Sequence, residues 1–178
     1  MIIKRLLACA AVMQLVAGCA AMSHMAGKGI VSSETSGFDG REVVTVSPNY
    51  VLGAKGGFDP SMEVRFGARW ESTAPDWVQV FITKTTADIV VRGDSLNINV
   101  NGAVATFRPE ASDAFVLPLD YLGSMISAQT CKLQLLRGGA VSEGDFARDS
   151  NSGDPTAKAS FREFYSVVVT KRAALRGK

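Results

Sequence analysis

The sequence predicts a mainly β domain: an antiparallel β-sandwich or partly open barrel, with a short helix and a C-terminal helix. Three observations lead there. "EVRFGARWE" alternates strictly, with Val64, Phe66, Ala68 and Trp70 on one face and Glu63, Arg65, Arg69 and Glu71 on the other. Asn101-Gly102, the preferred centre of a type I′ turn, joins two alternating runs. Seven or eight short apolar runs are punctuated by Gly, Pro, Asn and Asp. The alternative architecture is α+β, with helices on one face of an antiparallel sheet.

The elements follow in order. Residues 19–40 are rich in Ala, Ser and Gly and read as a tether, though "GIVSSE" suits a short first strand. "REVVTVS" is a strand from Arg41 to Ser47, ended by Pro48. "PNYVLGAKGGFDPSM" reads as a Gly-rich loop. "EVRFGARWE" is a half-buried strand, and "STAPD" turns it into "WVQVFITKT", whose two apolar faces suit a central position. "DIVVRG" is another short strand.

"LNINVNGAVATF" predicts a hairpin and its register. Val100 pairs with Ala103, Ile98 with Ala105 and Leu96 with Phe107, all six on the inner face; Asn97 and Asn99 fall outside, opposite Thr106 and Val104. "FVLP" is a strand running into a helix with Pro118 at its first position and Leu119, Leu122, Met125 and Ile126 as its inner stripe. "CKLQLLRGGAVSEGDF" predicts a second hairpin turning at Gly138-Gly139, and "ARDSNSGDP" a polar loop. A terminal helix follows from Asp154-Pro155, with Phe161, Phe164, Tyr165 and Val168 inward and Lys171, Arg172 and Arg176 near its negative end. Its β-branched "SVVVT" opposes that assignment.

The amino-terminal stretch carries a different message. Lys4 and Arg5 precede a 13-residue run, Leu6 to Gly18, whose one polar residue is Gln14. Spanning a bilayer takes about 20 residues, so this has the form of an export signal. It ends "VAGC" (Val16, Ala17, Gly18, Cys19), which resembles the lipobox of bacterial lipoproteins. The resemblance covers residues 1–20 and says nothing of the fold beyond. It implies cleavage before Cys19, diacylglycerol on its thiol and acylation, palmitate among the chains, of the new amino terminus. Ala20 follows where aspartate is absent. In that family this favours the outer membrane, with the domain in the periplasm or at the cell surface. One acyl chain binds a bilayer only reversibly; two or three anchor stably.

The expected organisation is thus a signal peptide at 1–18, a lipidated cysteine and tether at 19–40, and one β-rich domain at 41–178. Removing 18 of 178 residues leaves 160, and the loss of Lys4 and Arg5 takes 19 basic residues to 17, equal to the 17 acidic ones. A neutral chain argues against nucleic acid as a partner. Of three cysteines, Cys9 leaves with the signal and Cys19 is acylated, so Cys131 is alone and no intramolecular disulfide is expected. Alternation places it inward beside Leu133 and Leu135, as a small buried hydrophobe.

The sole histidine, His24, lies in the tether. Histidine-based triads and two-histidine metal sites are therefore not expected in the domain. No G-x-S-x-G, H-E-x-x-H, C-x-x-C or G-x-G-x-x-G occurs, and "GAKGG" (Gly53 to Gly57) lacks the Gly-Lys-Ser/Thr ending of a phosphate-binding loop. No cofactor is expected. Glu63 and Glu71 are too far apart on one strand to act together. Arg65 and Arg69 share the outer face, where they could meet an anion, with a solvated face or cross-strand ion pair the ordinary role. Trp70 and Trp77 flank a turn; stacking on a sugar or a partner is possible chemistry there, with core burial the commoner outcome.

Function at this point is an expectation: a lipid-anchored envelope protein, not an enzyme, whose domain binds another envelope protein or a small ligand in an assembly or scaffold role. The competing expectation is a carboxylate-based hydrolase acting on envelope glycans. Partner contact is expected at the loops 48–62 and 145–154 and on the arginine face, with Tyr50, Phe58, Arg65 and Arg69 as candidates.

Overall fold

A computed structural model describes residues 29–50, 52–56, 64–84, 93–110, 114–147 and 157–177. Cys19, His24, Phe58, Glu63, most of "DIVVRG" and the Asp154-Pro155 helix start lie outside the described residues. Among the described residues, ten strands form two five-stranded antiparallel sheets that do not close into a barrel, so the sandwich-like form of the expectation is the one observed. Sheet A has the order β1 (Val31–Thr35), β2 (Glu42–Tyr50), β4 (Val64–Glu71), β5 (Trp77–Lys84), β8 (Phe115–Pro118). Sheet B has the order β3 (Leu52–Gly56), β10 (Ala140–Asp145), β9 (Cys131–Arg137), β6 (Ser95–Val100), β7 (Ala103–Phe107). Helices α1 (Leu119–Ser127) and α2 (Ala157–Arg176) complete the fold. Among the described residues no helix is long and apolar enough to cross a membrane.

The alternation in the sequence sorts side chains as a pleat must. Val44, Val46, Phe66, Ala68, Trp70, Val78, Val80, Phe115 and Leu117 of sheet A are buried, and so are Leu96, Ile98, Cys131, Leu133 and Leu135 of sheet B. Helix α1 adds Leu119, Leu122, Met125 and Ile126, the stripe read from the sequence, and α2 adds Phe161, Phe164 and Val168. An aromatic triad ties strand, helix and loop together. Phe66 stacks on Phe161 at 4.9 Å, and Phe146 meets both edge-on, at 6.0 and 5.4 Å. Burial of Val168 explains why the β-branched stretch is helical: packing outweighs a propensity worth tenths of a kcal/mol.

Helix α2 is fastened at both ends. Lys158 is buried, and its Nζ donates to the carbonyls of Ala128 (3.3 Å) and Ala147 (3.4 Å). Near the far end Lys171 pairs with Glu42 (2.7 Å), Arg172 with Asp120 (2.8 Å) and Arg176 with Asp76 (2.6 Å). The cations expected to serve the helix dipole thus reach carboxylates on β2, α1 and the β4–β5 turn.

The hairpin register is the one the sequence specifies, from Leu96↔Phe107 to Val100↔Ala103, with Asn101 (φ 51°) and Gly102 (φ 95°) at the tip. Its inner face is less enclosed than expected. β7 is an edge strand, so Ala103 is exposed and Phe107 only half-buried against Tyr121. The second hairpin turns at Gly138 (φ 54°) and Gly139 (φ 83°), as read.

Four expectations are corrected. β1 pairs with β2 from Val31↔Val46 to Thr35↔Glu42, so residues 31–40 belong to the domain and not to a tether ending at 40. Pro48 does not end β2. Ser47 and Pro48 oppose the single residue Gly67, between Val46↔Ala68 and Asn49↔Phe66, and a bulge is where a strand tolerates a missing N–H. The Gly-rich stretch supplies β3, which pairs with β10, and Tyr50 ends β2 rather than standing in a loop. Pro118 is the N-cap of α1, one residue before the position expected. Asp76 O accepts from Leu119 N (2.8 Å), occupying one of the free amides of the first turn.

Candidate functional site

The outer face of sheet A carries the site. Register places Ser32, Thr45, Arg69, Gln79 and Val116 in one row across all five strands. Extending the β4–β5 register by two residues sets Glu71 opposite Trp77, itself paired with Pro118. Arg69, Glu71, Trp77, Gln79 and Val116 of these rows, together with Ala74 of the β4–β5 turn and Glu110, line an open cleft of about 370 Å³.

The two tryptophans divide. Trp70 is fully buried on the inner face, with its indole N–H donating to Pro75 O (3.1 Å). Trp77, two residues before Gln79 on the outer face, remains 50% exposed. The expectation of burial therefore holds for Trp70 and fails for Trp77, because the register, extended by one residue, sets Trp70 opposite Val78, the neighbour of Trp77, and so puts the two tryptophans on opposite faces.

Glu71 organises the charges. Arg69 places Nε (2.8 Å) and Nη2 (2.7 Å) on its Oε1, and Arg41 places Nη1 (3.1 Å) on its Oε2. Arg41 also approaches Asp39 (3.4 Å). The Ser36 hydroxyl, followed by the Arg41 amide and charge, holds the Asp39 carboxyl below its ordinary value. Two cations and two anions thus form a balanced chain across the partly exposed surface, where solvent screening leaves each pair a small contribution to stability. Glu110 is the acid of the cleft with no ion-pair or hydrogen-bond partner for its carboxylate among the described residues.

Of the residues expected to contact a partner, Arg69 lies in the cleft. Arg65 is on the same face four residues away, about 13 Å along the strand, opposite Thr83 and Tyr50. The arginine face is therefore two places rather than one, and Arg65 does not line the cleft.

Sequence reasoning missed Phe38. It is 99% exposed at the tip of the β1–β2 hairpin. Ser36 N to Arg41 O (2.8 Å) and Gly40 N to Ser36 O (2.9 Å) close the loop, with Gly40 at φ +71°. The signal was a large aromatic inside the turn sequence "GFDG", obscured by reading that stretch as tether. The Glu42–Ser72 bonds put this loop and the β4–β5 turn at the same end of sheet A, next to Trp77.

Sheet B presents a contrasting outer face. Thr106 donates to Asn97 Oδ1 (2.8 Å), Asn97 Nδ2 to Gln134 Oε1 (2.8 Å), and Gln134 Nε2 to Glu143 Oε1 (2.7 Å). The groups of this ladder are engaged with one another, and a ligand would have to compete for them. Among the described residues no group of three or more His, Cys, Asp or Glu side chains is placed to hold a metal ion. No protein-family model, curated protein or solved structure matches the chain.

Proposed function

We propose that this chain is an outer-membrane lipoprotein, anchored through acylated Cys19, whose β-rich domain docks another envelope protein at the Trp77 end of sheet A. The observation that carries the reading is the clustering of Trp77, Phe38 and the cleft at one end of one sheet. Exposed aromatics that protrude from a rigid frame are what interface anchors are made of.

The position of that end supports the reading. The described residues begin at Gly29, and β1 runs from there toward the Phe38 turn, about 17 Å for its five residues at 3.3 Å each. The nine residues from Ala20 to Lys28 separate the anchor from the domain. A domain so tethered can hold its aromatic end away from the bilayer, toward a neighbour. Confinement to the membrane raises the effective concentration of such a neighbour, so a modest surface suffices.

The glycan-hydrolase reading gains one observation, that Glu71 and Glu110 share a cleft. Both oxygens of Glu71 are engaged by arginines, and Glu110 is exposed, without the apolar enclosure that equips a carboxyl to act as general acid. The docking reading is therefore preferred.

Photo-crosslinking amino acids at Phe38 and at Trp77, in intact cells, test it. The same envelope protein should be captured from both positions and not from Lys132 on the outer face of sheet B. Capture from Lys132 alone, or of unrelated proteins from each position, would overturn the proposal.

A further inference from the structure

We infer that the cleft beside Trp77 receives a lysine or arginine side chain of the partner protein. The inference rests on the docking reading and specifies its chemistry. Charge complementarity decides between ligands. Arg69 is neutralised by Glu71, and Arg41 by Asp39, which leaves the Glu110 carboxylate as the unbalanced charge of the lining. The nearest cation in sequence, Arg108, is exposed and outside the lining.

An anionic ligand meets Glu110 with no free cation to offset it among the described residues of the lining. A cationic side chain meets a carboxylate and an exposed indole together. Indole is the strongest of the aromatic partners for a cation, and a long apolar stem fits against Val116 and Ala74 while its charged head stays hydrated at the open rim. Gln79, centred in the row between Arg69 and Val116, brings an amide whose carbonyl can accept from the same head group. The Arg69–Glu71 pair forms the wall: a fixed, neutral side that keeps the cleft open without competing for the incoming cation.

The sequence's two tryptophans give a direct readout, because the buried Trp70 serves as an internal control. Full-length, 15N-labelled protein in detergent micelles is titrated into the millimolar range with the capped peptide Gly-Lys-Gly, with its ε-acetyl-lysine counterpart and with N,N′-diacetylchitobiose. The indole N–H signals are followed by NMR. The lysine peptide should shift the Trp77 signal saturably and leave that of Trp70 in place. Glu110→Gln should weaken binding about five-fold, as loss of an exposed charge partner implies. Salt at about 0.5 M should weaken it too.

Equal shifts from acetyl-lysine would overturn the inference in favour of apolar contact. Shifts from the chitobiose alone would overturn it in favour of a glycan, and silence from all three probes would overturn it outright. Crosslinking at Phe38 and Trp77 does not depend on any of these outcomes. A crosslinked partner without lysine binding would sink this inference and leave docking intact; lysine binding without a crosslinked partner would sink docking.

Discussion

Asn97 Nδ2 donates to Gln134 Oε1 at 2.8 Å across the β6–β9 pair, which fixes the orientation of both amides and of everything linked to them. Thr106 must donate into this row and Glu143 must accept from it. Replacing Asn97 with Asp keeps the shape and removes the donor, placing a carboxylate against Gln134 Oε1. Asn97→Asp should lower stability by about 1 kcal/mol, more than Asn99→Asp outside the ladder. Urea midpoints at neutral pH check it.

The core predictions differ with enclosure. Leu96→Ala and Ile98→Ala should each cost about 2–5 kcal/mol, and Phe161→Ala about 3–5 kcal/mol, since all three residues are fully buried. Phe107→Ala should cost less than about 2 kcal/mol, because edge strand β7 leaves that ring half-exposed. Equilibrium unfolding of the four variants should reproduce the ranking. Equal losses at Leu96 and Phe107 would contradict the placement of β7.

Gly67 is a steric requirement. A Cβ there would lie 2.6 Å from Phe81 Cε2 and 3.2 Å from Pro48 Cγ, across the bulge. Gly67→Ala should destabilise by about 1–3 kcal/mol as an overpacked site. Pairing it with Phe81→Leu should recover part of the loss, and a double-mutant cycle measures the coupling.

Burial, with Asp145 adding to it and Lys158 opposing, pushes the Cys131 thiol up to about 12 from an ordinary value of 9.0. The native protein should therefore resist thiol reagents at pH 8 and react only on unfolding. The sign of the pH effect follows. Above pH 9 the unfolded thiol loses its proton and the folded one keeps it, so the unfolded state binds fewer protons. Stability from this group is whole below pH 9 and is lost as pH rises toward 12, by at most about 1.4 kcal/mol per pH unit. Cys131→Ala should flatten that part of the profile in alkaline urea titrations.

What the sequence made legible was set by local rules. Alternation on β4 fixes its inner face and the Asn-Gly turn demands one register, and the observed burial and hairpin pairs follow them. The stripe on α1 has one helical solution. What escaped depended on partners far along the chain. Pro48 is tolerated because Gly67 leaves room opposite it, and β3 exists because β10 lies beside it; neither condition is visible in "SPNYVLGAKG". The site was half legible. Arg69 belongs to the alternation, but Glu110 comes from a connection after β7, and only the fold brings it to Trp77. Phe38 was hidden by a composition that suggested a tether.

Anchoring at Cys19 is the premise on which the reach, the orientation and the docking end all depend. Mass spectrometry of the amino-terminal peptide of protein purified from membranes tests it most directly. The account predicts Cys19 as the first residue, carrying diacylglycerol on sulfur and an acyl chain on nitrogen, with Cys19→Ala retained as the uncleaved, unlabelled form. A mature chain cut elsewhere with an unmodified Cys19, or a Cys19→Ala protein that is processed and lipid-labelled normally, would contradict it.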